Sequence, residues 1–319
     1  MSDRPISTSL VQHLEILADH AGRRIDNYLM GLLGIPRSRV YRIIRKGEVR
    51  VNKGRIKPDY RLRCGDVLRV PPVRQKQPHS ITVEPRLAAR LRDSILYEDA
   101  DLMVINKPAG MPVHAGSGYR HGLIETLRAL RPAADYLELV HRLDRRTSGC
   151  LLLAKRPTVL RELNTLVRGS EMEKRYTALL CGRWQDGERR IEAPLRRNLL
   201  RGGERMVCID PQGKEAVSLF RPRQCFARAS LMEVRLLTGR THQIRVHAAS
   251  LGQPVAGDDK YGLASCNRDL RALGLQGMFL HAASLAFRHP VGGALIHIEA
   301  PLPDPHQGLL DRLADDPAT

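Results

Sequence analysis

The chain has 319 residues, of which 42% are hydrophobic and only 4% aromatic, and it carries a formal net charge of +18 at pH 7. This length suits two domains with mainly aliphatic cores, and this charge indicates a polyanionic partner. No apolar stretch approaches the ~20 residues that span a bilayer, and the first residues lack the apolar segment of a secretory signal, so we expect a cytoplasmic protein without membrane contacts.

Positive charge is concentrated near the N-terminus. Residues 22–76 contain 16 lysines and arginines against 4 acidic residues, so this segment holds +12 of the +18. The residues before it show only a short alternating piece, at 14–17, which is typical of an edge strand. Such local basicity is typical of a nucleic-acid-binding module, the alternative being a solvated basic face.

Two helices and a hairpin are predicted inside this basic segment. Residues 25–32 have the apolar spacing of a helix, and a glycine and a proline at positions 34 and 36 end it. A second helix begins near residue 37 and ends at Gly47, which takes the position of a C-cap glycine. Its apolar face is Val40, Ile43 and Ile44, and the opposite face is basic. The residues predicted to contact nucleic acid are Arg37, Arg39, Arg42, Arg45, Lys46 and Lys53.

A proline-rich stretch at 71–78 predicts an extended linker. After a short helical piece at 87–91, strands are predicted at 95–99, 102–105 and 174–180, with a helix at 157–169 between them. Short strands follow from 191 to 237, then a helix that ends near 251 and closing strands at 279–282 and 295–300. The tail from residue 303 contains four aspartates, and we expect it to be peripheral.

A polar loop lies between Leu139-Val140 and an apolar run, Cys150 to Ala154, that indicates a buried strand. Its carboxylate, Asp144, has three arginines as close neighbours, which favour its ionised form. Loops on a rigid scaffold often carry reactive side chains. From local composition alone, a turn aspartate in a solvated basic loop is an equally good interpretation.

The cysteines and histidines form no recognisable metal or redox motif. The six cysteines include no C-x-x-C pair, and the twelve histidines no H-E-x-x-H pattern. An even number of cysteines is no evidence of disulfides in a chain of this length, so we expect small core residues or incidental thiols.

Two segments resemble known families. Residues 24–70, with Arg37-Ser38-Arg39, GEVRVN at 47–52 and Gly65-Asp66, resemble the alpha-L RNA-binding module. Residues 95–301 resemble a pseudouridine synthase of the RluA type, through HRLDRRTSG at 141–149, Lys174-Arg175-Tyr176 and GRTHQIRVH at 239–247. The order and the spacing of these motifs also match.

The resemblance implies that the protein converts uridines of large-subunit ribosomal RNA to pseudouridine, detaching uracil from C1′ and reattaching it through carbon 5. It implies no metal, nucleotide or redox cofactor, and an α+β fold whose catalytic sheet is mixed and mainly antiparallel. We expect a monomer. The expected divisions are an extension at 1–21, the alpha-L module at 22–72, a linker at 73–90, the catalytic domain at 91–303 and a tail at 304–319.

The resemblance also implies the residues of the site. It makes Asp144 the catalytic aspartate, acting as nucleophile or as base, and Arg245 its partner. Tyr176 would pack against the target base, Arg142 would enter the space that the flipped nucleotide leaves, and Leu280 would line the uracil pocket.

Simpler interpretations stay open for these side chains. Arg245 could contact phosphate from a helix surface, and Tyr176 could be a core residue. For His141 and His242 we prefer structural hydrogen bonds to acid–base roles, because the reaction is accounted for without them. Lys107 and His114 are candidates for lining an RNA groove.

The sequence disfavours two rival functions. A kinase-like phosphotransfer function is disfavoured. Compared with the kinase H-R-D motif, His141-Arg142-Leu143-Asp144 has an extra leucine, and no D-F-G motif follows. A non-catalytic RNA-binding assembly factor is disfavoured by the joint presence of Asp144, Tyr176 and Arg245. Pseudouridine formation in purified ribosomal RNA distinguishes the binder from the enzyme.

Overall fold

The computed structural model describes residues 10–35, 37–73, 82–115, 119, 121–199 and 205–315. The chain forms two compact units that divide between Ile81 and Thr82. This division falls within the linker predicted at 73–90, of which residues 74–81 lie outside the described part. None of the helices in the described part is long and apolar enough to cross a bilayer.

The first unit is a three-stranded antiparallel sheet with two α-helices. Its elements are β1 (Gln12–Glu15), a 3₁₀ helix (Ala18–His20), α1 (Ile25–Leu33), α2 (Arg37–Arg45), β2 (Arg50–Val51) and β3 (Val67–Val70). The strand order is β1-β3-β2, so β1 is an edge strand, two residues earlier than predicted. Residues 12–15 of the expected extension therefore belong to the sheet of this unit.

The two helices form as the apolar pattern predicts. Helix α1 ends at Gly34, whose φ of 59° is the left-handed conformation that glycine adopts without strain. Helix α2 buries Val40, Ile43 and Ile44 in the core of the unit, and Gly47 follows it with a φ of 71°. The apolar face, the basic face and the C-terminal glycine of α2 are confirmed.

The second unit contains six helices and twelve strands among its described residues. The helices are α3 (Pro85–Asp93), α4 (Leu123–Leu130), α5 (Pro157–Arg168), α6 (Gln243–Ser250), α7 (Ala264–Ala272) and α8 (Asp304–Ala314). The strands are β4 (Ile95–Glu98), β5 (Leu102–Lys107), β6 (Glu138–Leu139), β7 (Ser148–Ala154), β8 (Glu173–Cys181), β9 (Arg189–Glu192), β10 (Leu195–Leu199), β11 (Arg205–Ile209), β12 (Val217–Cys225), β13 (Ala229–Leu236), β14 (Leu280–Arg288) and β15 (Leu295–Glu299).

Ten of these strands form one sheet. Its path is β4-β5-β7-β14-β8-β13-β12-β9, with β6 on β7 and β15 on β14, while β10 and β11 make a separate hairpin. Strand β14 pairs in parallel with β7, and the other described pairings are antiparallel. The prediction of an α+β fold with a mixed, mainly antiparallel sheet is confirmed.

Strand β7 is buried along its whole length, as its apolar run predicts. Leu151 and Leu153 point into one core, and Cys150, Leu152 and Ala154 into the core on the opposite face of the sheet. Alternate side chains of a strand point to opposite faces, so a strand with both faces covered needs an unbroken apolar sequence.

The expectation for the cysteines is wrong for one pair. Cys181, at the end of β8, forms a disulfide with Cys266 in α7. Cys150 is buried, and burial raises the pKa of its thiol to about 12, so it stays protonated at neutral pH. Because 85 residues separate the bonded pair, the sequence carried no local signal for it.

The tail is not peripheral over residues 304–314. These residues form α8, which buries Leu309, Leu310 and Leu313 in a core shared with β8 and α7. His306 of the same helix is buried, and its ring stacks on Phe279 with the centroids 4.1 Å apart. Residues 316–319 of the expected tail lie outside the described part.

The burial of His306 predicts a loss of stability in acid. Its Nδ1 has no hydrogen-bond partner within the described part of the chain, and burial, with nearby His281, lowers its pKa to about 4. An unfolded histidine titrates near pH 6.5, so the unfolded state binds the proton first. The contribution of His306 is complete above about pH 6.5 and falls by about 3 kcal/mol as the pH drops to about 4.

Denaturant titration near pH 7 and near pH 5 measures this loss. We expect His306→Phe, which keeps a ring on Phe279 and cannot take up a proton, to reduce the difference in unfolding free energy between the two pH values. His297→Phe, at an exposed position of β15, serves as the control. A difference unaltered by His306→Phe would contradict the prediction.

Candidate active site

The loop that carries Asp144 runs from β6 to β7 over a buried lysine. The ammonium group of Lys107 donates hydrogen bonds to the carbonyls of Pro108, Met111 and Arg145, at 2.9, 3.0 and 3.2 Å. Burial lowers the pKa of Lys107 to about 7, and the negative charge of Asp144 acts in the opposite direction. Lys107 is fully buried, so its candidate position in an RNA groove is wrong, and the structure places it beneath the loop.

The end of the loop is fixed where β7 meets β14. Gly149 has a φ of 105°, and a Cβ on it would lie 2.2 Å from the carbonyl oxygen of Ala282, so only glycine admits β14 at this distance. Beside it, Ser148 Oγ and His281 Nδ1 are hydrogen-bonded at 2.9 Å. The parallel pairing of β7 and β14 therefore sets the position of the preceding loop.

Asp144 shares a guanidinium group with a second aspartate. Arg245 of α6 donates from Nη1 to Asp144 Oδ2 at 3.0 Å. Its Nε and Nη2 donate to the two carboxylate oxygens of Asp258, at 2.7 and 2.8 Å, in a bidentate pair. Arg245 and Asp258 are 7% and 1% exposed. A guanidinium bound on both edges cannot rotate, so it holds the Asp144 carboxylate in one orientation.

The charges of this cluster stabilise one another. Burial alone would lower the pKa of Arg245, but the hydrogen bonds and charges of the two aspartates raise it overall. Burial alone would raise the pKa of Asp258, and Arg245 lowers it overall. Both groups are therefore ionised at neutral pH.

A cavity of about 270 Å³ opens beside Asp144. Tyr176 of β8 and Leu280 of β14 line it from neighbouring strands, and Leu236 adds to its apolar wall. Burial raises the pKa of Tyr176, so its hydroxyl is protonated at neutral pH. The cavity combines an anion with an apolar wall and a ring, an arrangement that suits one small planar group.

A wider groove of about 1060 Å³ adjoins this cavity. Arg142 lines both spaces and is exposed, and His114 lines the groove. Arg145 lies over the ring of Tyr119, 5.5 Å from its centroid, and Arg146 pairs with Asp259. The groove is thus wide enough and basic enough for a nucleic-acid strand.

Comparison with known proteins places this arrangement in a family. Residues 101–250 match the model described as RNA pseudouridylate synthase, and residues 23–68 match the S4 domain. Over 296 residues, 92% of each chain, the sequence is 52% identical to the ribosomal large subunit pseudouridine synthase C of Yersinia pestis. The chain belongs to the RNA pseudouridine synthase family.

A further sequence relative and a solved structure support the same family. The synthase is 49% identical over 311 residues to ribosomal large subunit pseudouridine synthase C of Escherichia coli strain K12, covering 96% of this chain and 98% of the relative. Its structure is similar to that of human RNA pseudouridylate synthase domain containing 4, with a TM-score of 0.59 and 25% identity over 72% of this chain and 96% of the other. The predicted enzyme class is confirmed.

The two histidines of the synthase that invite acid–base roles differ in position. His141 Nε2 accepts a hydrogen bond from the backbone N–H of Leu152 at 3.2 Å. Burial and the charge of Lys174 lower its pKa to about 4, so it is a neutral acceptor that joins the loop to β7. His242 instead faces Asp144, with Nε2 3.6 Å from Oδ2.

The residues predicted to contact nucleic acid in the first unit of the synthase lie on α2, directly after it at Lys46, and in the turn after β2. Five of the six are exposed, namely Arg37, Arg42, Arg45, Lys46 and Lys53. Arg37 also donates to Asn27 Oδ1 at 2.7 Å, whereas Arg39 is partly buried. A groove of about 850 Å³ beside the turn is lined by His13, Gly47, Glu48, Arg50, Asn52, Lys53, Val67 and Arg69.

The sequence did not reveal Asp258 and Tyr261 as parts of the site. Their only local signal is an apolar run, Val255-Ala256, that ends in Gly257-Asp258, which is also how a buried strand leads into a functional turn. Asn267 of α7 fixes this turn, because its side chain binds Gly257 N and the Asp258 carbonyl, at 2.7 and 3.1 Å.

One cluster with metal-ligand chemistry lies outside the active site. Asp99, Asp101 and His289 converge near the turn between β4 and β5. Asp99 Oδ1 accepts the backbone N–H groups of Asp101 and Leu102 at 2.7 and 2.8 Å, and its Oδ2 bonds to His289 at 3.0 Å. Asp101 pairs with Arg156 at 2.9 Å. These groups satisfy one another as a turn network.

Proposed function

We propose that this synthase isomerises specific uridines of large-subunit ribosomal RNA, with Asp144 as the residue that acts on the nucleotide. The observation that carries the proposal is the Asp144 carboxylate itself, held on Oδ2 by Arg245 at 3.0 Å and exposed to a cavity walled by Tyr176 and Leu280. The curated relatives named for the ribosomal large subunit, 47–52% identical over more than nine-tenths of the chain, support the choice of RNA.

The isomerisation leaves the composition of the nucleotide unchanged. The C1′–N1 bond breaks, uracil turns, and a C1′–C5 bond forms. The hydrogen on C5 then leaves and N1 gains one. Asp144 is proposed to act as a nucleophile or as a base, and both roles require the anion that Arg245 stabilises.

Three neighbours of Asp144 are proposed to bind the target nucleotide. Tyr176 would stack on uracil, and its protonated hydroxyl would reach a proton in transit. Leu280 would line the base pocket, because a base taken out of its helix needs an apolar surface to replace the lost stacking. Arg142, exposed where cavity and groove meet, would fill the space that the nucleotide leaves.

The first unit is proposed to anchor the RNA through phosphate contacts. Its S4 match and the exposed basic residues of α2 support this role. Such contacts release counterions, so the affinity depends on salt with a slope set by the number of phosphates bound. The proposed anchoring residues are Arg37, Arg39, Arg42, Arg45, Lys46 and Lys53.

Removing four of these charges should flatten the salt dependence. We expect the combined Gln variant of Arg42, Arg45, Lys46 and Lys53 to lose about 0.7 of slope in log Kd against log salt for each phosphate contact, about 3 in total. Fluorescence anisotropy on a ribosomal RNA fragment between low and moderate salt measures the slope.

The matched control removes four exposed charges elsewhere, on α3 and α7. These are Arg86, Arg90, Arg92 and Arg268. A control variant whose slope falls as far as that of the α2 variant would show that binding depends on total charge, contrary to the proposed anchor.

The proposed function is tested with unmodified large-subunit and small-subunit ribosomal RNA made by transcription. We expect the purified protein to form pseudouridine at a few positions of the large-subunit RNA and at none of the small-subunit RNA, mapped by carbodiimide modification and primer extension. Binding without pseudouridine, on naked RNA and on immature subunits alike, would favour the non-catalytic assembly factor.

We also propose that the protein works in the cytoplasm as a monomer. Catalytic loop, partner arginine and base cavity all belong to one chain, which supports a site complete in a single copy. Light scattering during size-exclusion chromatography tests the monomer, and cell fractionation tests the location.

A further inference from the structure

The two oxygens of the Asp144 carboxylate have different surroundings. Oδ2 accepts from Arg245 Nη1 at 3.0 Å and faces His242 Nε2 at 3.6 Å. Oδ1 accepts no hydrogen bond from any residue in the described part of the chain. One oxygen is therefore bound by Arg245 and faced by His242, and the other is left for the substrate.

His242 is held in turn by a tyrosine. Its Nδ1 lies 2.9 Å from the Tyr261 hydroxyl, and that hydroxyl also accepts the backbone N–H of Val207 at 2.9 Å. The hydroxyl has one proton to give, and His242 Nδ1 is the acceptor that it reaches among the described residues. The proton of a neutral His242 ring then sits on Nε2, which points at Asp144.

The charged groups around His242 favour this neutral ring. Burial lowers its pKa, as do the positive charges of Arg245 and Lys260, while Asp144 and Asp258 act in the opposite direction, with a lowered pKa as the result. A neutral ring with its proton on Nδ1 would instead turn the lone pair of Nε2 toward the Asp144 carboxylate, which is electrostatically unfavourable.

The backbone of His242 and the aromatic ring packed against it also orient Nε2 toward Asp144. His242 precedes α6 with a φ of 56°, a left-handed conformation that costs a histidine free energy, and its side chain does not cap the helix. The Tyr261 ring meets the His242 ring edge-on at 5.6 Å and the Arg245 guanidinium at 5.0 Å. One tyrosine thus packs against both groups that face Oδ2.

We propose that His242 and Tyr261 are positioning residues for the isomerisation: a proton on His242 Nε2, set by the Tyr261 hydroxyl, holds Asp144 Oδ2 so that Oδ1 acts on the nucleotide. The 3.6 Å gap is that of the free enzyme and closes when the nucleotide binds, because catalytic hydrogen bonds commonly tighten in the complex. This inference rests on the proposed role of Asp144.

Replacing His242 by asparagine or by glutamine tests the contacts of Nδ1 and of Nε2 separately. His242→Asn tolerates the left-handed backbone and reaches only as far as Nδ1, so it keeps the contact to Tyr261 and loses the donor to Asp144. His242→Gln reaches as far as Nε2 and keeps that donor. We expect kcat to fall about 10- to 100-fold in His242→Asn, the range for a hydrogen bond to a charged group, with KM unchanged and a smaller loss in His242→Gln.

Tyr261→Phe tests the contact between the Tyr261 hydroxyl and His242 Nδ1. It keeps both ring contacts and removes the hydroxyl, so kcat should fall while KM for the RNA stays the same. A long-range proton–nitrogen NMR spectrum of the wild-type protein, which needs no variant to fold, should show His242 with a protonated Nε2 and a bare Nδ1. Thermal melting checks that each variant is folded.

Each outcome decides the proposal. Conversion by His242→Asn within about twofold of wild type, equal losses in the Asn and Gln variants, or a wild-type ring protonated on Nδ1 would overturn it. Failure of the proposed Asp144 role is visible separately, since it requires a folded Asp144→Asn protein that still converts uridine.

Discussion

Asp144→Asn is expected to lower pseudouridine formation by several orders of magnitude while the RNA still binds. The substitution keeps the size and shape of the side chain and removes its negative charge and most of its basicity, so neither nucleophilic attack nor proton removal can proceed. In the proposed mechanism, binding depends on phosphate contacts from basic residues and on stacking against Tyr176, and this change removes neither. A slight gain in affinity is expected, because an anion facing a polyanion is gone.

The measurement is single-turnover conversion beside a binding titration, on one RNA and at one salt concentration. Asp259→Asn is the matched control, because Asp259 lines the adjoining groove and pairs with Arg146 and Arg271 at its edge. Near-normal conversion by a folded Asp144→Asn protein would refute the proposed mechanism. Equal losses of conversion and binding would make Asp144 a structural residue.

Arg245→Met is expected to abolish turnover and to destabilise the fold. It leaves two carboxylates without their cation, and one of them, Asp258, is 1% exposed. Breaking a buried ion pair by removing one partner costs about 3–5 kcal/mol of unfolding free energy. The loss should exceed that of Arg240→Met, a control at an exposed arginine just before α6 whose Nε donates to the Glu215 carbonyl.

The effect of Arg245→Met should depend on pH in a definite direction. In the wild type, Arg245 lowers the pKa of Asp258, so the stability that this pair contributes is present above the unfolded pKa of about 3.9 and is lost as the pH falls. Without Arg245, burial raises the pKa of Asp258, and mild acid neutralises the unpaired carboxylate. The stability difference between wild type and variant should therefore shrink from pH 7 toward pH 5 in urea titrations; a difference that grows would contradict this account.

The parts of the fold that the sequence predicted are those with a local cause. Helix α2 follows from an apolar face, a basic face and Gly47, and β7 follows from an apolar run that only a strand covered on both faces needs. The prediction of a peripheral tail was wrong because it rested on the four aspartates, whereas Leu309, Leu310 and Leu313 have the spacing of an amphipathic helix. All three leucines are buried, since the aspartates lie on the opposite side or at the helix ends.

The sequence predicted the site residues only where a family motif identified them, because the sequence itself does not give distances between remote residues. Asp144 and Arg245 are 101 residues apart, and no periodicity brings them together; the family resemblance did. Asp258, Tyr261 and the Cys181–Cys266 bond were missed because they depend on which distant segments become neighbours in space. His242 was given a structural role because the reaction is accounted for without it, and the sequence alone does not show that its ring faces Asp144.

The place of β14 in the sheet determines when the enzyme becomes complete during its own synthesis. This strand lies between β7 and β8, which the ribosome makes much earlier. It carries Leu280, which lines the cavity, and Ala282, which packs against Gly149. Until residues 280–288 emerge, β7 and β8 present open edges that invite pairing with other chains. We therefore expect a chain halted before β14 to be inactive and prone to aggregation, because it lacks part of the cavity wall and leaves these strand edges without β14.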